Sequence, residues 1–332
     1  MAARSLVVLP DDSSKPILSA ITGAKTSLMV KMFVFSDPAL LKAVIAARKR
    51  GVKTTVMLNP ARRTGETDND KTRESLVQAG VEVCDSNPTF ELTHEKSMVV
   101  DETTAFVKSF NWATKNLTET RDYAVVTSHK SEVREVSDCF LADWHRQKFT
   151  PKADSHLIWC PGGRQRIAAF IDNARHTLFL QNERYQDTVI LERLVRARVR
   201  GVKIHVMARP PHTLKEDKLV EGVGGLRILD DVGIKVHKLK QLKLHAKMLL
   251  ADGTSAIVGS INLSPGSLDN RRELAIEVRE DNVVEHLHKV ADHDWNHSHP
   301  LDLSDQGLRT DLDDRIREAE QLGILDAQEE PT

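Results

Sequence analysis

Three cysteines in 332 residues, widely spaced at Cys84, Cys139 and Cys160 and odd in number, exclude a disulfide framework and a cysteine metal knuckle. They read as buried or half-buried thiols. Aromatic residues make up only 5% of the chain, too few for base-stacking platforms along a single-stranded nucleic acid or for a Trp-rich membrane anchor. No apolar run approaches the roughly 18 residues of a membrane helix, and Leu6-Val-Val-Leu9 is stopped by Pro10, Asp11 and Asp12 well short of a secretory segment. A cytoplasmic protein, at most peripheral to a membrane, is expected. Net charge is nearly absent at −1, but ten acidic residues against three arginines place −7 in residues 301–332 and so leave +6 on residues 1–300. A mildly basic body suits an anionic substrate and falls short of the footprint of a dedicated nucleic-acid binder.

What the chain does have is a pattern written twice. His94-x-Lys96-x4-Asp101 recurs 151 positions later as His245-x-Lys247-x4-Asp252. Ser109 and Asn111 answer to Ser260 and Asn262, and an acidic residue, Asp122 or Glu273, follows each histidine by 28 positions. The flanks agree: Thr26–Lys31 parallels His176–Gln181, and Arg48–Met57 parallels Arg198–Met207. Such a period is far beyond the about 20 to 50 residues of a solenoid unit, so each repeat is a domain-sized half. The expected division is residues 1–150, residues 151–300 and an acidic tail, residues 301–332, joined near Thr150 to Ser155.

Each half reads as strand, helix, strand, helix and then a run of strands. Ser27 to Phe35 is a buried strand; Pro38 opens a helix with Leu40, Leu41, Val44, Ile45 and Ala47 on one face, and Gly51 ends it. A strand at Val52 to Leu58, a helix at Lys71 to Ala79 and a strand at Val81 to Cys84 follow. The histidine motif is expected on a strand, where i and i+2 side chains share a face and bring His94 with Lys96, or His245 with Lys247, to one cavity. Strands at Ala105 to Val107 and Tyr123 to Thr127, then the amphipathic helix Val133 to Trp144, close the half; Val283 to Trp295 closes the second. The fold class is α/β: two homologous α-β-α sandwich halves about a pseudo-twofold axis, with mixed sheets flanked by helices.

His-x-Lys-x4-Asp followed by Gly-Ser-x-Asn and an acidic residue resembles the phospholipase D superfamily. The match is best in the second half, through Gly259-Ser-Ile-Asn262 and Glu273, and spans residues 5 to 298 as two family-type halves. The first half departs from it, with Lys108 in place of Gly259, where it would narrow the phosphate pocket or add charge to it, and Asp122 in place of glutamate. The resemblance implies a metal-independent phosphodiesterase working through a phosphohistidine, with His94 as nucleophile and His245 as general acid. Elementary chemistry agrees. A phosphodiester repels nucleophiles and gains charge on the way to five-coordinate phosphorus, so a catalyst without a metal or other cofactor needs the fixed cations of Lys96 and Lys247 and the donors Ser109, Asn111, Ser260 and Asn262. Asp122 and Glu273 would orient the imidazoles, while Asp101 and Asp252 brace strand ends.

Three functional readings stand. Phospholipid hydrolysis or phosphatidyl transfer, of phospholipase D or cardiolipin synthase type and by a monomer, is preferred because both motifs sit in one chain. A nuclease and an inactive phosphate-binding scaffold are the alternatives. Other features read more plainly: His293, His297 and His299 mark a solvated helix end rather than a metal site, and Asp311 to Leu322 is an acidic amphipathic helix. The alternating lysines from Lys235 to Lys243 form a basic strand edge, serving either edge protection or a phosphate-bearing substrate.

Overall fold

The computed structural model describes residues 3–62, 65, 67–210 and 216–321. In the first half the elements are β1 (Arg4–Leu9), α1 (Lys15–Gly23), β2 (Ser27–Met32), α2 (Pro38–Lys49), β3 (Lys53–Leu58), α3 (Asp70–Gln78), β4 (Glu82–Asp85), β5 (Ser97–Val100), β6 (Thr104–Lys108), α4 (Thr114–Thr118), β7 (Thr120–Thr127) and α5 (Lys130–Trp144). The second half follows with β8 (Leu157–Cys160), α6 (Arg164–Asn173), β9 (Thr177–Asn182), α7 (Thr188–Val199), β10 (Lys203–Met207), α8 (Glu216–Asp231), β11 (Val236–Lys238), β12 (Lys243–Leu244), β13 (Lys247–Ala251), β14 (Ser255–Gly259), a π-helical turn (Gly266–Asn270), β15 (Glu273–Val278) and α9 (Asp281–Asn296). A short β16 (His299–Pro300) and α10 (Asp305–Gln321) end the described chain.

The two sheets share one order. The first runs β1-β7-β6-β5-β2-β3-β4, and the second β8-β15-β14-β13-β9-β10-β11, with β16 added at its far edge. In both, a parallel trio (β2-β3-β4; β9-β10-β11) joins an antiparallel set, as βα units followed by hairpins require. Matching local chemistry builds matching elements. Asp37 caps α2 by accepting from Ala39 N and Leu40 N, Asp187 caps α7 by accepting from Ile190 N, and Gly51 and Gly201, at φ 91° and 89°, end the two helices in the left-handed region. Asp101 accepts from the backbone N–H groups of Lys25, Thr26 and Ser27, while Asp252 does so from Arg175, His176 and Thr177. Each thus ties a β-turn to the start of a neighbouring strand, away from the histidines.

Leu28, Val30, Met32, Leu40, Val44 and Phe106 fill the first half's own core, and Leu178, Leu180, Ile190, Leu194 and Ile257 the second's. A third core is common to both: Val107, Tyr123 and Val125 of one sheet meet Phe179, Met248 and Val258 of the other, with α5 and α9 packed among them. Charges are buried here too. Arg272 forks onto Asp143 at 3.0 and 3.1 Å, and the equivalent Arg121 onto Asp294 at 2.9 and 3.0 Å, each pair crossing between halves. The first half adds Lys31, which bonds Glu95 at 2.9 Å and Asp143 at 2.8 Å; at the equivalent positions the second half has Gln181 and Ala246. Burial works to lower the Lys31 pKa, but Asp143, Cys139 and Glu95 outweigh it and hold the ammonium above its usual value. Burial would raise that of Asp143, yet Lys31 and Arg272 hold it at about 2.

Several sequence expectations need correction. β1 and α1, with their counterparts β8 and α6, precede the strands expected to open each half. The strand from Ser27 stops at Met32; Phe35 makes only an isolated bridge to Trp112. The histidines are not on strands, since His94 lies three residues before β5 and His245 in the break between β12 and β13. The lysine run is not one edge strand either: β11 is covered by β16, and Lys243–Leu244 crosses to pair with β7 of the first half. Cys139 and Cys160 are buried and Cys84 half-buried. The tail helix starts earlier than expected, at Asp305, and residues beyond Gln321 lie outside those described. Among the described residues no helix is long and apolar enough to cross a membrane.

The unlike charge networks of the two halves give a direct test. Lys31→Met leaves the buried Glu95 carboxylate without its ammonium partner and Asp143 with Arg272 alone, and is expected to cost about 3–5 kcal/mol in urea unfolding. The double variant Lys31→Gln/Glu95→Ala, which copies the second half, should recover most of that loss; no recovery would count against the network as the cause.

Candidate active site

Backbone exchange between the halves builds the site. Thr93 bridges to Arg272, and the N–H groups of His94 and Glu95 both donate to the Arg272 carbonyl at 2.9 and 3.0 Å. Reciprocally, β12 pairs in parallel with β7, Lys243 against Thr120 and Leu244 against Arg121, and His245 N donates to the Arg121 carbonyl at 3.3 Å. The segment leading to each histidine therefore lies beside the strand that begins the other half's acidic position.

The side chains cross in the same way. His94 Nδ1 lies 3.0 Å from Glu273 Oε2 and 3.2 Å from the Ser260 carbonyl. Both partners are acceptors, so Nδ1 carries the hydrogen, and the neutral ring leaves its lone pair on Nε2. His245 Nδ1 lies 2.9 and 3.1 Å from the two oxygens of Asp122. Asp122 is held in turn by the Ser109 hydroxyl at 2.5 Å and the Thr120 hydroxyl at 2.6 Å. Lys96 and Lys247 each donate to the carbonyl of the histidine two residues earlier.

Burial, then Lys96, Lys247 and Arg271, push the His94 pKa well below the ordinary 6.5, with Glu183 opposing. Lys96 is lowered as well, first by burial, while Glu273 pulls it up. Burial raises Glu273 against the pull of Lys96. Because Lys247 and Glu183 of the second half act on both His94 and Lys96 of the first, the two motifs share one electrostatic environment.

Of the other sequence-derived residues, Ser109 and Ser260 turn inward. Ser109 donates to Asp122 and accepts from Tyr123 N; Ser260 spans Leu274, accepting from its N–H and donating to its carbonyl. Asn111 and Asn262 are buried with their Oδ1 atoms making no hydrogen bond. Lys108 lies on the sheet face of Phe106, its ammonium 4.9 Å over the Trp112 ring. Gly259 is fixed by close approach, since a Cβ there would fall 2.3 Å from the Leu274 carbonyl oxygen. His293 and His297 stack at 4.2 Å, and Nδ1 of His297 meets the His293 carbonyl at 2.8 Å. Among the described residues, the one trio of potential metal-ligating side chains is Glu95, Cys139 and Asp143, and the Lys31 ammonium bonds to all three.

One residue was missed in the sequence. Glu183, just past β9, places Oε2 2.6 Å from Lys247 Nζ and 3.9 Å from His245 Nε2, and Oε1 3.2 Å from Arg209. Burial would raise it, but Lys247, His245 and Arg209 outweigh that and keep its carboxylate well below the usual range. Its counterpart in the repeat is Phe33, whose ring lies 4.9 Å from His94 and 5.2 Å from Lys96. Setting the two halves side by side would have exposed the Phe33/Glu183 mismatch, but only if position 183 were already known to face the histidine.

The model of the cardiolipin synthase PLD-like domain matches residues 17–144 and again 167–295, once per half. The chain belongs to that family. Cardiolipin synthase B of Escherichia coli O6:H1 is 24% identical over 321 residues, covering 82% of this chain and 75% of its own length. Human mitochondrial cardiolipin hydrolase is 28% identical over 165 residues, 45% of this chain and 61% of its own. Among solved structures, phosphatidylserine synthase of Haemophilus influenzae Rd KW20 superposes with a TM-score of 0.74 at 11% identity over 97% of this chain and 95% of its own. Polyphosphate kinase of Porphyromonas gingivalis gives 0.71 at 15% over 96% of this chain, which spans about half of that protein (53%). At these identities the superpositions establish the fold, two mixed eight-stranded sheets in duplicated halves.

A pH measurement checks the electrostatics. His94 is expected to stay uncharged at pH 6, where a free imidazole is mostly protonated. Side-chain 15N chemical shifts followed from pH 8 to 5 should show the His94 ring still neutral where a free imidazole is mostly protonated; titration near 6.5 would contradict the burial argument.

Proposed function

We propose that this protein is a phosphodiesterase of the phospholipase D type, cleaving a phospholipid and passing the phosphatidyl group to water or an alcohol at a membrane surface. The observation that carries this reading is the reciprocal crossing of His94 with Glu273 and His245 with Asp122. Two oriented imidazoles served by two lysines meet the needs of an in-line displacement at phosphorus. The family relation to cardiolipin synthases supports a lipid substrate.

In this mechanism His94 Nε2 attacks phosphorus, the bond to the leaving alkoxide breaks, and that oxygen takes a proton from His245 Nε2. His245 then removes a proton from water or an alcohol, which attacks the phosphohistidine and frees His94. The neutral state enforced on His94 suits the nucleophile, and Glu273, accepting from Nδ1–H, stabilises the ring as it gains charge. Lys96 and Lys247 lie beside the histidines to balance the phosphoryl oxygens, with Asn111 and Asn262 as further donors. Lys96, depressed by burial, regains its proton preference beside an anionic phosphate.

His94→Ala and His245→Ala are each expected to abolish turnover nearly completely, with the double variant losing little more, because the two act as a unit. Asp122→Asn, which deprives His245 of its orienting charge, should reduce kcat about 10³–10⁴-fold, by the precedent of a hydrogen-bonded histidine that loses its carboxylate. Parallel assays in EDTA with phosphatidylglycerol vesicles and with plasmid DNA decide the substrate. Lipid turnover undiminished by chelation is the expected result. Cleavage of DNA alone would favour the nuclease, and abolition by EDTA with recovery on added zinc or magnesium would overturn the two-histidine scheme.

A further inference from the structure

Among the positions at which the two halves differ, one changes the polarity directly beside the histidine and lysine of each motif. Phe33 presents a half-buried apolar ring to His94 and Lys96, whereas Glu183 presents an ionised carboxylate to His245 and Lys247. The difference bears on the reaction in two ways. On the Phe33 side the Lys96 ammonium faces an aromatic ring, whereas on the Glu183 side the Lys247 ammonium is already bonded to a carboxylate, so an anionic phosphoryl group gains less there. A neutral alcohol has the opposite preference, because a carboxylate accepts hydroxyl hydrogen bonds strongly.

We propose that Glu183 is the alcohol-recognising residue, selecting polyhydric alcohols over monohydric ones on the His245 side of the site. This rests on the phosphodiesterase reading above. An alcohol oxygen hydrogen-bonded to His245 Nε2 sits close to Glu183 Oε2, itself 3.9 Å from that nitrogen. The neighbouring hydroxyl of a vicinal diol then lies within reach of the carboxylate. Arg209 on Oε1 and Lys247 on Oε2 fix the carboxylate plane, and the side chain is 11% exposed, so little water competes for it. Glycerol-type head groups and acceptors fit this subsite, and ethanol or propanol leaves the carboxylate with no new partner. A hydrogen bond to a charged acceptor corresponds to about tenfold or more in selection.

The test divides a common intermediate between competing acceptors. The full chain is supplied with phosphatidylglycerol vesicles and, separately, with the synthetic diester bis(4-nitrophenyl) phosphate, each in equal concentrations of 1-propanol and deuterated glycerol, whose label distinguishes the glyceryl product from the starting lipid. The ratio of glyceryl to propyl product is then measured. This ratio is independent of the overall rate, so a general loss of activity does not move it. The wild type is expected to favour glycerol by about tenfold, Glu183→Gln to fall close to parity, and Glu183→Asp to recover part of the preference. An unchanged ratio in Glu183→Gln, or parity in the wild type, overturns the assignment. Cleavage of the synthetic diester without the lipid would refute the lipid reading while still deciding the role of Glu183. Failure to cleave either would refute both.

Discussion

Everything at the site depends on a reciprocal exchange of backbone between the halves. The segment leading to each histidine is joined by backbone hydrogen bonds to residues Thr120–Arg121 or Arg272 of the other half. That exchange places each imidazole against the foreign carboxylate, and the residues that receive it, Arg121 and Arg272, also reach Asp294 and Asp143 across the boundary. Three layers of contact, peptide ladder, buried ion pair and His–carboxylate bond, are thus carried on adjoining residues. The shared apolar core behind them excludes water, which sharpens the charges and drives His94 towards neutrality.

Symmetry is kept where geometry is at stake and broken where chemistry is. The helix caps Asp37 and Asp187, the turn aspartates Asp101 and Asp252, and the glycines after α2 and α7 recur because each satisfies the same backbone groups in both halves. Lys31 with Glu95, facing Gln181 with Ala246, shows that one buried charge pair can be exchanged for an uncharged solution without altering the sheet. Phe33 opposite Glu183 is a different kind of departure, because it changes the polarity of the pocket itself.

Much of this could be read from the chain alone. A repeated spacing of polar residues identified the duplication, the β–α alternation and the side chains that gather at the site, since identical offsets impose identical local geometry. The partner choice between halves was not readable: nothing in the order of residues says that Asp122 serves His245 rather than His94, because that is decided by which strand ends meet after packing. For the same reason Lys243–Leu244 resembled the continuation of a basic edge, although its hydrogen bonds go to β7. Periodicity also placed the histidines on strands; the crossing requires them just outside, where the chain leaves one sheet for the other. Glu183 stayed hidden because it belongs to no motif and matters only through its distance to His245.

The crossed bonds carry a consequence for the history of such a chain. A single-copy ancestor could satisfy the same bonds only by pairing with an identical copy, and in such an isologous pair every substitution appears on both sides of the cleft at once. Neither two glutamates nor two phenylalanines reproduces the unlike neighbours that the two histidines have here. Fusion of the copies releases that constraint. Once the halves are encoded separately, one rim of the cleft is free to specialise for an anion and the other for a hydroxyl, and a reaction that treats its two substrates differently no longer has to run in a site that treats them alike.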